Sequence, residues 1–224
     1  MRSLPRAVSA GLLAFAAASC TKASDEPKLA PGTGLQPIVN GTTALSPAAV
    51  GNTGREATKA DFDFMSGMIS HHAQAVLMAG WAPTHGASAA LQRYCERVVN
   101  GQTDEIATMQ QWLRDHFQPV PDAHDTKMHM VMDGKTMDML MPGMLSDDEM
   151  KQLDKARGVA FDRLFLNGMI KHHQGAITMV QTVQGTPGAA QDELVFKMST
   201  DIYADQTTEI AVMEKMLAAL PPTP

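Results

Sequence analysis

The residues best suited to chemistry occur twice. His71 and His72 are adjacent, and so are His172 and His173. Met68 stands three and four residues ahead of the first pair, and Met169 stands in the same relation to the second. Met78 and Met179 follow at matching positions downstream. Side chains three and four apart share one side of a helix, so each copy can bring thioether and imidazole together on a helical segment. Imidazole suits copper, zinc, iron and nickel, whereas thioether strongly favours Cu(I). Thioether beside imidazole, in two copies, selects copper over zinc. The shortage of Cys points the same way, because structural zinc sites usually recruit thiolates. Met at helical spacing more often fills a core, and a single His is more often a hydrogen-bonded core residue. Two His-His pairs in matched contexts are harder to explain as filler, since burying imidazole without a partner is costly. The candidate ligands are therefore His71, His72, Met68, Met78, His172, His173, Met169 and Met179, and the favoured cargo is copper as Cu(I).

A second sulfur-rich set lies between the two pairs. Met128, Met130 and Met132 alternate, Asp133-Gly134 marks a turn, and Met137, Met139 and Met141 alternate again. Alternation at period two on both sides of Asp-Gly predicts a β-hairpin with both Met sets on one face. Two strands alone are marginal, so the ribbon must lean on other elements or fold around a ligand. A secondary Cu(I) site is expected there, weaker than the first and open to His129. Of the 18 Met, eight fall within residues 128–150; a sticky loop is the plainer explanation. His85, His116 and His124 fall near loops or helix ends and are expected in solvent.

The elements that must position these groups are helices. The stretch Phe64–Met78 matches Phe165–Met179 at a constant offset of 101, and Asp61 and Asp162 extend the match upstream. At helical periodicity Asp61, Met65, Met68, His72, Ala75 and Ala79 form one inward face, with His71 at its edge beside Phe64 and Met78. Asp162, Leu166, Met169, His172, His173, Ala176 and Met179 repeat it. The first helix is predicted from about Thr58 to Gly80, with Thr58 as cap. The second runs from about Ser88 to Phe117. The third runs from the capping box Ser146-Asp147-Asp148-Glu149 to about Gln184, with Gly158 a weak point. The fourth starts at Thr186-Pro187 and ends near Leu220. Gln102–Met109 resembles Gln206–Met213 at an offset of 104, so the second helix of each hairpin is repeated as well. A duplicated hairpin implies an all-α four-helix bundle over 58–220. The link at 118–145 is far longer than the ~2–8 residues that neighbouring bundle helices need. It is expected to cross the length of the bundle, as in ferritin-like folds, and carries the Met-rich insertion.

The chain of 224 residues opens with Arg2, Arg6 and an apolar run over 7–18, which reads as a secretory signal over 1–19. Ala17-Ala18-Ser19-Cys20 resembles a bacterial lipobox, making Cys20 a candidate lipidation site and the membrane a partner through an acyl anchor; cleavage without lipidation is the alternative. Residues 20–57 read as a flexible tether. Cleavage before Cys20 leaves Cys95 alone, with no intrachain disulfide. The net charge of −6 and the lack of a basic cluster argue against nucleic acid. The expected location is the bacterial periplasm or the outer face of a membrane.

Met-Ile-x-His-His-x-x-Ala in both copies, the run Phe161–Ala176, and Met141-Pro142-Gly143-Met144-Leu145-Ser146-Asp147-Asp148-Glu149-Met150 resemble the domain-of-unknown-function 305 family over about residues 58–220. That resemblance implies a secreted ferritin-like bundle in a family that includes CopM-type periplasmic copper-binding proteins using Met and His. It places ligands at His71, His72, Met68, His172, His173 and Met169. Leu166 replaces Met65 in the second copy, so the two sites need not be equivalent. The function expected is copper binding for sequestration, tolerance or hand-over to a copper-transport partner, without catalysis. One alternative is a ferritin-like di-metal oxidase, which needs a Glu-x-x-His on each of two helices. None occurs here, and Glu105 and Glu209, even facing the core, are too few. The other is a metal-free helical interaction module with the Met ribbon as a partner surface.

Overall fold

The computed structural model describes residues 56–132 and 135–222. The signal sequence, Cys20 and nearly all of the tether lie outside the described residues. In chain order the elements are α1 (Lys59–Gly80), α2 (Ala89–Asp115), β1 (Met128–Met132), β2 (Lys135–Met139), α3 (Asp147–Lys155), α4 (Val159–Gly185) and α5 (Glu193–Ala218). The fold is all-α apart from one small antiparallel ribbon. No helix among the described residues is long and apolar enough to cross a membrane.

Helix α1 starts at a capping box in which Thr58 and Asp61 satisfy each other's backbone N–H groups, and Ser88 caps α2. Such caps are worth about 0.5–2 kcal/mol each. The same Asp61 also reaches a distant element: its carboxylate accepts the buried N–H of Ala190, 2.7 Å away, just before α5. Its repeat partner Asp162 accepts the N–H of Ser88 at the start of α2. Each duplicated Asp thus ties its own helix to the second helix of the other hairpin.

Helix α1 packs on α2, α4 packs on α5, and the hairpins meet along α1 and α4. The core divides into two apolar layers. One joins Phe64, Met65, Met68 and Ile69 of α1 to Ala176, Met179, Val180 and Val183 of α4. The other joins Ala75, Met78 and Ala79 of α1 to Phe161, Phe165, Leu166 and Met169 of α4. The start of one helix therefore meets the end of the other, so α1 and α4 run antiparallel. Antiparallel packing of these two helices requires the link from α2 to cross the bundle, as its length predicts.

Two boundaries differ from the sequence reading. The third predicted helix is two: α3 ends at Lys155 and α4 begins at Val159. Gly158 takes φ +57°, and its N–H donates to the His85 carbonyl at 2.9 Å. A glycine that permits a left-handed turn and finds a tertiary partner breaks the helix outright. The last helix starts at Glu193, not at Thr186-Pro187. Asp192 caps it by accepting from Leu194 and Val195, while Gly188 and Ala190 have positive φ. The tertiary bond from Ala190 to Asp61 holds the intervening chain out of the helix.

Candidate metal centre

The four histidines lie between the two apolar layers, and all four are fully buried. The His71 and His172 rings are 3.8 Å apart across the α1–α4 contact. His72 and His173 flank them, 6.3 and 6.2 Å from their chain neighbours. The four imidazoles form a polar seam across an otherwise apolar interior. Helical periodicity places His71 at the edge of its face. It is as buried as His72, because α4 covers it on one side and the crossover on another.

Each pair has outside partners. His72 Nε2 lies 2.7 Å from Glu105 Oε2 on α2, and His173 Nε2 lies 2.7 Å from Glu209 Oε2 on α5. His71 Nε2 lies 3.0 Å from the Pro142 carbonyl of the crossover. Five imidazole nitrogens find no hydrogen-bond partner in the protein: Nδ1 of His71, His72 and His173, and both nitrogens of His172. Burial, followed by the neighbouring His72, pushes His71 down to about 3. Burial, then the surrounding His71, His173 and His72, holds His172 well below the usual imidazole range; the His71 carbonyl opposes this without reaching hydrogen-bond geometry. Both rings are therefore neutral at pH 7, each with a lone pair turned into the interior.

Thioethers flank the seam in a crossed arrangement. Met68 shares its layer with Met179 of the other copy, and Met169 shares its layer with Met78. The sequence pairs each Met with the His of its own helix; antiparallel packing instead groups sulfur from both copies on each side of the seam. A further group forms at Gly67. A Cβ there would sit 3.0 Å from Met141 Sδ, 3.5 Å from Met179 Cε and 3.8 Å from Met128 Sδ. Thioether side chains from β1, the crossover and α4 thus meet where α1 has no side chain of its own. Beside them an open cleft of about 270 Å³ is lined by Phe64, Pro142, Met179 and Val183.

The ribbon forms as the predicted hairpin about 133–134, with Met128 opposite Met139 and Met130 opposite Met137. Its turn at 133–134, and the side chains of Met130 and Met132, lie outside the described residues. Ser70 of α1 donates to the Lys127 carbonyl at 3.3 Å, which moors the start of β1. Met137 and Met139 are 54% and 40% exposed, so among the described side chains of this set it is Met128 and Met141 that reach the bundle thioethers. His129 is engaged between Asp125 and Asp138 at 2.7 and 2.8 Å, and these acids raise it above its ordinary range.

The crossover passes over the seam as a short strap, residues 141–145. Gln74 binds it from α1, donating to the Leu145 carbonyl at 2.9 Å and accepting the Leu145 N–H at 2.7 Å. From α4, Gly175 makes room for it: a Cβ on Gly175 would lie 1.9 Å from the Pro142 oxygen. Gln74 and Gly175 are the same position of the repeat. The two copies differ where the single strap crosses them.

His85 corrects the expectation of a solvated side chain. It is 5% exposed, bonds Asp154 through Nε2 and packs on Trp81 and Phe161. The break before α4 brings α3 over the α1–α2 loop and buries it. His116 is half-buried against Trp112, and His124 is exposed. Cys95 is a free, buried thiol pushed up to about 12 by burial, so it offers no thiolate. Among the described residues no three His, Cys, Asp or Glu side chains are grouped to hold an ion by themselves. An ion held in the seam needs thioether sulfur to complete its shell.

Fold and motifs together define the class. The chain belongs to the family described as Domain of unknown function (DUF305), which matches residues 61–217. A solved DUF305 fragment from Deinococcus radiodurans is 25% identical with a TM-score of 0.61, covering 74% of this chain and all of the fragment. CopM in its Cu(I)-bound form is 26% identical with a TM-score of 0.53, covering 70% of this chain and 95% of CopM. CopM in its Cu(II)-bound form is 28% identical with the same TM-score and coverage. A Streptomyces coelicolor DUF305 protein described as secreted shares the fold at 24% identity and a TM-score of 0.58, over 71% of this chain and 92% of its own. No protein with a curated description matches the chain.

Proposed function

We propose that this protein binds copper in the bacterial cell envelope, for sequestration, tolerance or hand-over, and performs no catalysis. One observation carries the reading: four fully buried imidazoles leave five nitrogens without a partner, between layers that hold Met68 and Met179 on one side and Met169 and Met78 on the other. A buried polar atom without a partner costs about 1–3 kcal/mol, so five in one seam call for a ligand. Soft sulfur beside imidazole favours Cu(I) over zinc. CopM, solved with Cu(I), Cu(II) and silver, supports the same choice of ion. The thioethers at Gly67, with the ribbon behind them, form an outer site that takes Cu(I) first. Arg2, Arg6 and the apolar run over 7–18 direct export, and acylated Cys20 holds the protein at a membrane. The acceptor of the copper is a second protein of the envelope.

The test is metal analysis of purified protein offered equimolar Cu(I) and zinc under reducing conditions. Copper is expected in excess over zinc. A variant with Asn at positions 71, 72, 172 and 173 is expected to lose most of that copper while circular dichroism keeps the helix signal. Unchanged copper content in this variant would sink the seam as the site.

A further inference from the structure

We infer that Glu105 and Glu209 are positioning residues that fix His72 and His173 as Nε2–H tautomers, so that each ring presents a bare Nδ1 as its ligand atom. This inference rests on the copper reading. A carboxylate at neutral pH only accepts hydrogen bonds. At 2.7 Å from Glu105 and Glu209, the Nε2 atoms must therefore carry the protons. The Nδ1 atoms of the same rings are buried and meet no donor and no acceptor. A proton on Nδ1 would be a buried donor left unpaired, whereas a lone pair there is open to a metal. Ligating histidines commonly give their other N–H to a carboxylate or a carbonyl, which sets the tautomer and the ring orientation.

The arrangement occurs twice from independent segments. His72 and His173 are repeat partners at an offset of 101, Glu105 and Glu209 at 104. The shift of three residues comes from α4, which runs further past its His pair than α1 does, and both distances are still 2.7 Å. The Glu side chains are 21% and 27% exposed while the imidazoles are wholly buried. A cleft of about 130 Å³ between α2 and α5, lined by both carboxylates and by Gln102 and Gln206, brings water to them. The negative charge stays hydrated while its hydrogen bond reaches inward. Pro142 does for His71 what the Glu residues do for the outer rings, since a carbonyl can only accept. At His172 the nearby His71 carbonyl falls short of hydrogen-bond geometry, so neither nitrogen has a fixed acceptor.

The experiment is long-range proton–nitrogen NMR on metal-free, full-length mature protein labelled at histidine nitrogen. His72 and His173 are expected to show a protonated Nε2 and the signature of an unprotonated Nδ1. Glu105→Gln and Glu209→Gln keep an acceptor oxygen and should keep this pattern. Glu105→Ala and Glu209→Ala should let the tautomers mix, with the fold checked by circular dichroism, and should lower Ag(I) affinity by about 10–100-fold. Addition of Ag(I), a diamagnetic stand-in for Cu(I), should move the Nδ1 signals of both rings. A proton on Nδ1 in the parent, or Ala variants with unchanged tautomers, overturns the inference while leaving the copper reading intact. Correct tautomers with no response to Ag(I) or Cu(I) instead overturn the copper reading, and with it the ligand role of Nδ1.

Discussion

Substituting Gly175 by Ala tests whether the strap is seated as described. The new Cβ would lie 1.9 Å from the Pro142 oxygen, 2.4 Å from its carbonyl carbon and 2.6 Å from Gly143 Cα. Carbon and oxygen in contact need about 3.5 Å, so backbone must move by more than an ångström. Two responses compete. If α4 and the strap share the shift, the cost is that of overpacking, about 1–3 kcal/mol. If the strap lifts, three hydrogen bonds go, from His71 to Pro142 and between Gln74 and Leu145 in both directions. Those contribute about 1 kcal/mol each, and the buried Met144 and Leu145 add about 1.5–3 kcal/mol apiece. Sharing the shift is cheaper, so a loss of about 2 kcal/mol is expected. For a domain of this size that lowers Tm by roughly 4–8 °C. The assay is thermal unfolding of metal-free protein, with Gly101→Ala as control. Gly101 is helical with nothing within 4 Å of a new Cβ, so the control should gain about 0.5–1 kcal/mol. Equal midpoints for Gly175→Ala and the parent would show that the strap does not lie where it is described.

Acid should destabilise the metal-free protein earlier than ordinary carboxylates would. Folding holds His71 at about 3, so the unfolded chain takes up the proton first. Stability is complete above the ordinary value near 6.5 and falls by up to about 1.4 kcal/mol per pH unit below it. His172, lowered in the same sense, adds to the loss, and a flat Tm between pH 7 and 5 would contradict both shifts. Replacing Met128, Met130, Met132, Met137, Met139 and Met141 by Leu keeps apolar bulk and removes sulfur; titration with a Cu(I) chelator should show fewer ions bound than in the parent, and an equal number would leave the ribbon as packing alone. Asp61→Ala removes both the α1 cap and the buried bond to Ala190, so urea unfolding should show a loss of about 2–4 kcal/mol, against under 1 for Asp63→Ala on the exposed side of the same helix. Purified protein given Fe(II) in air should oxidise it no faster than a blank, and saturable turnover would restore the oxidase alternative.

Repetition made most of the bundle legible. The His pairs, the Asp that precedes each and the Gln–Glu stretches behind them recur at nearly constant offsets, and the long link favoured a crossover over an inserted loop. The hairpin followed from alternation about Asp133-Gly134, while its register depended on the loop length. What stayed hidden depended on contacts between distant segments. Helical spacing put Met68 beside its own His pair, but the antiparallel meeting of α1 and α4 groups it with Met179. Gly158 and Asp192 end and begin helices because His85, Leu194 and Val195 supply tertiary or local partners that periodicity does not contain. Glu105 and Glu209 carried a signal, since both sit in the second repeat. A count of metal ligands, for which two Glu are too few, cannot show a carboxylate acting from behind an imidazole.

The strap has a kinetic consequence. Residues 141–145 belong to no helix or strand, yet they close over His71 through contacts spanning 71 positions of chain. Such a segment can open by local unfolding while helix hydrogen bonds stay intact. An ion in the seam would then enter and leave at the strap's opening rate, not the bundle's. Amide hydrogen exchange at Leu145, whose N–H is held only by Gln74, would time that opening. A tightly held cargo and a prompt release are compatible when one short segment, moored by Gln74 and His71, governs access.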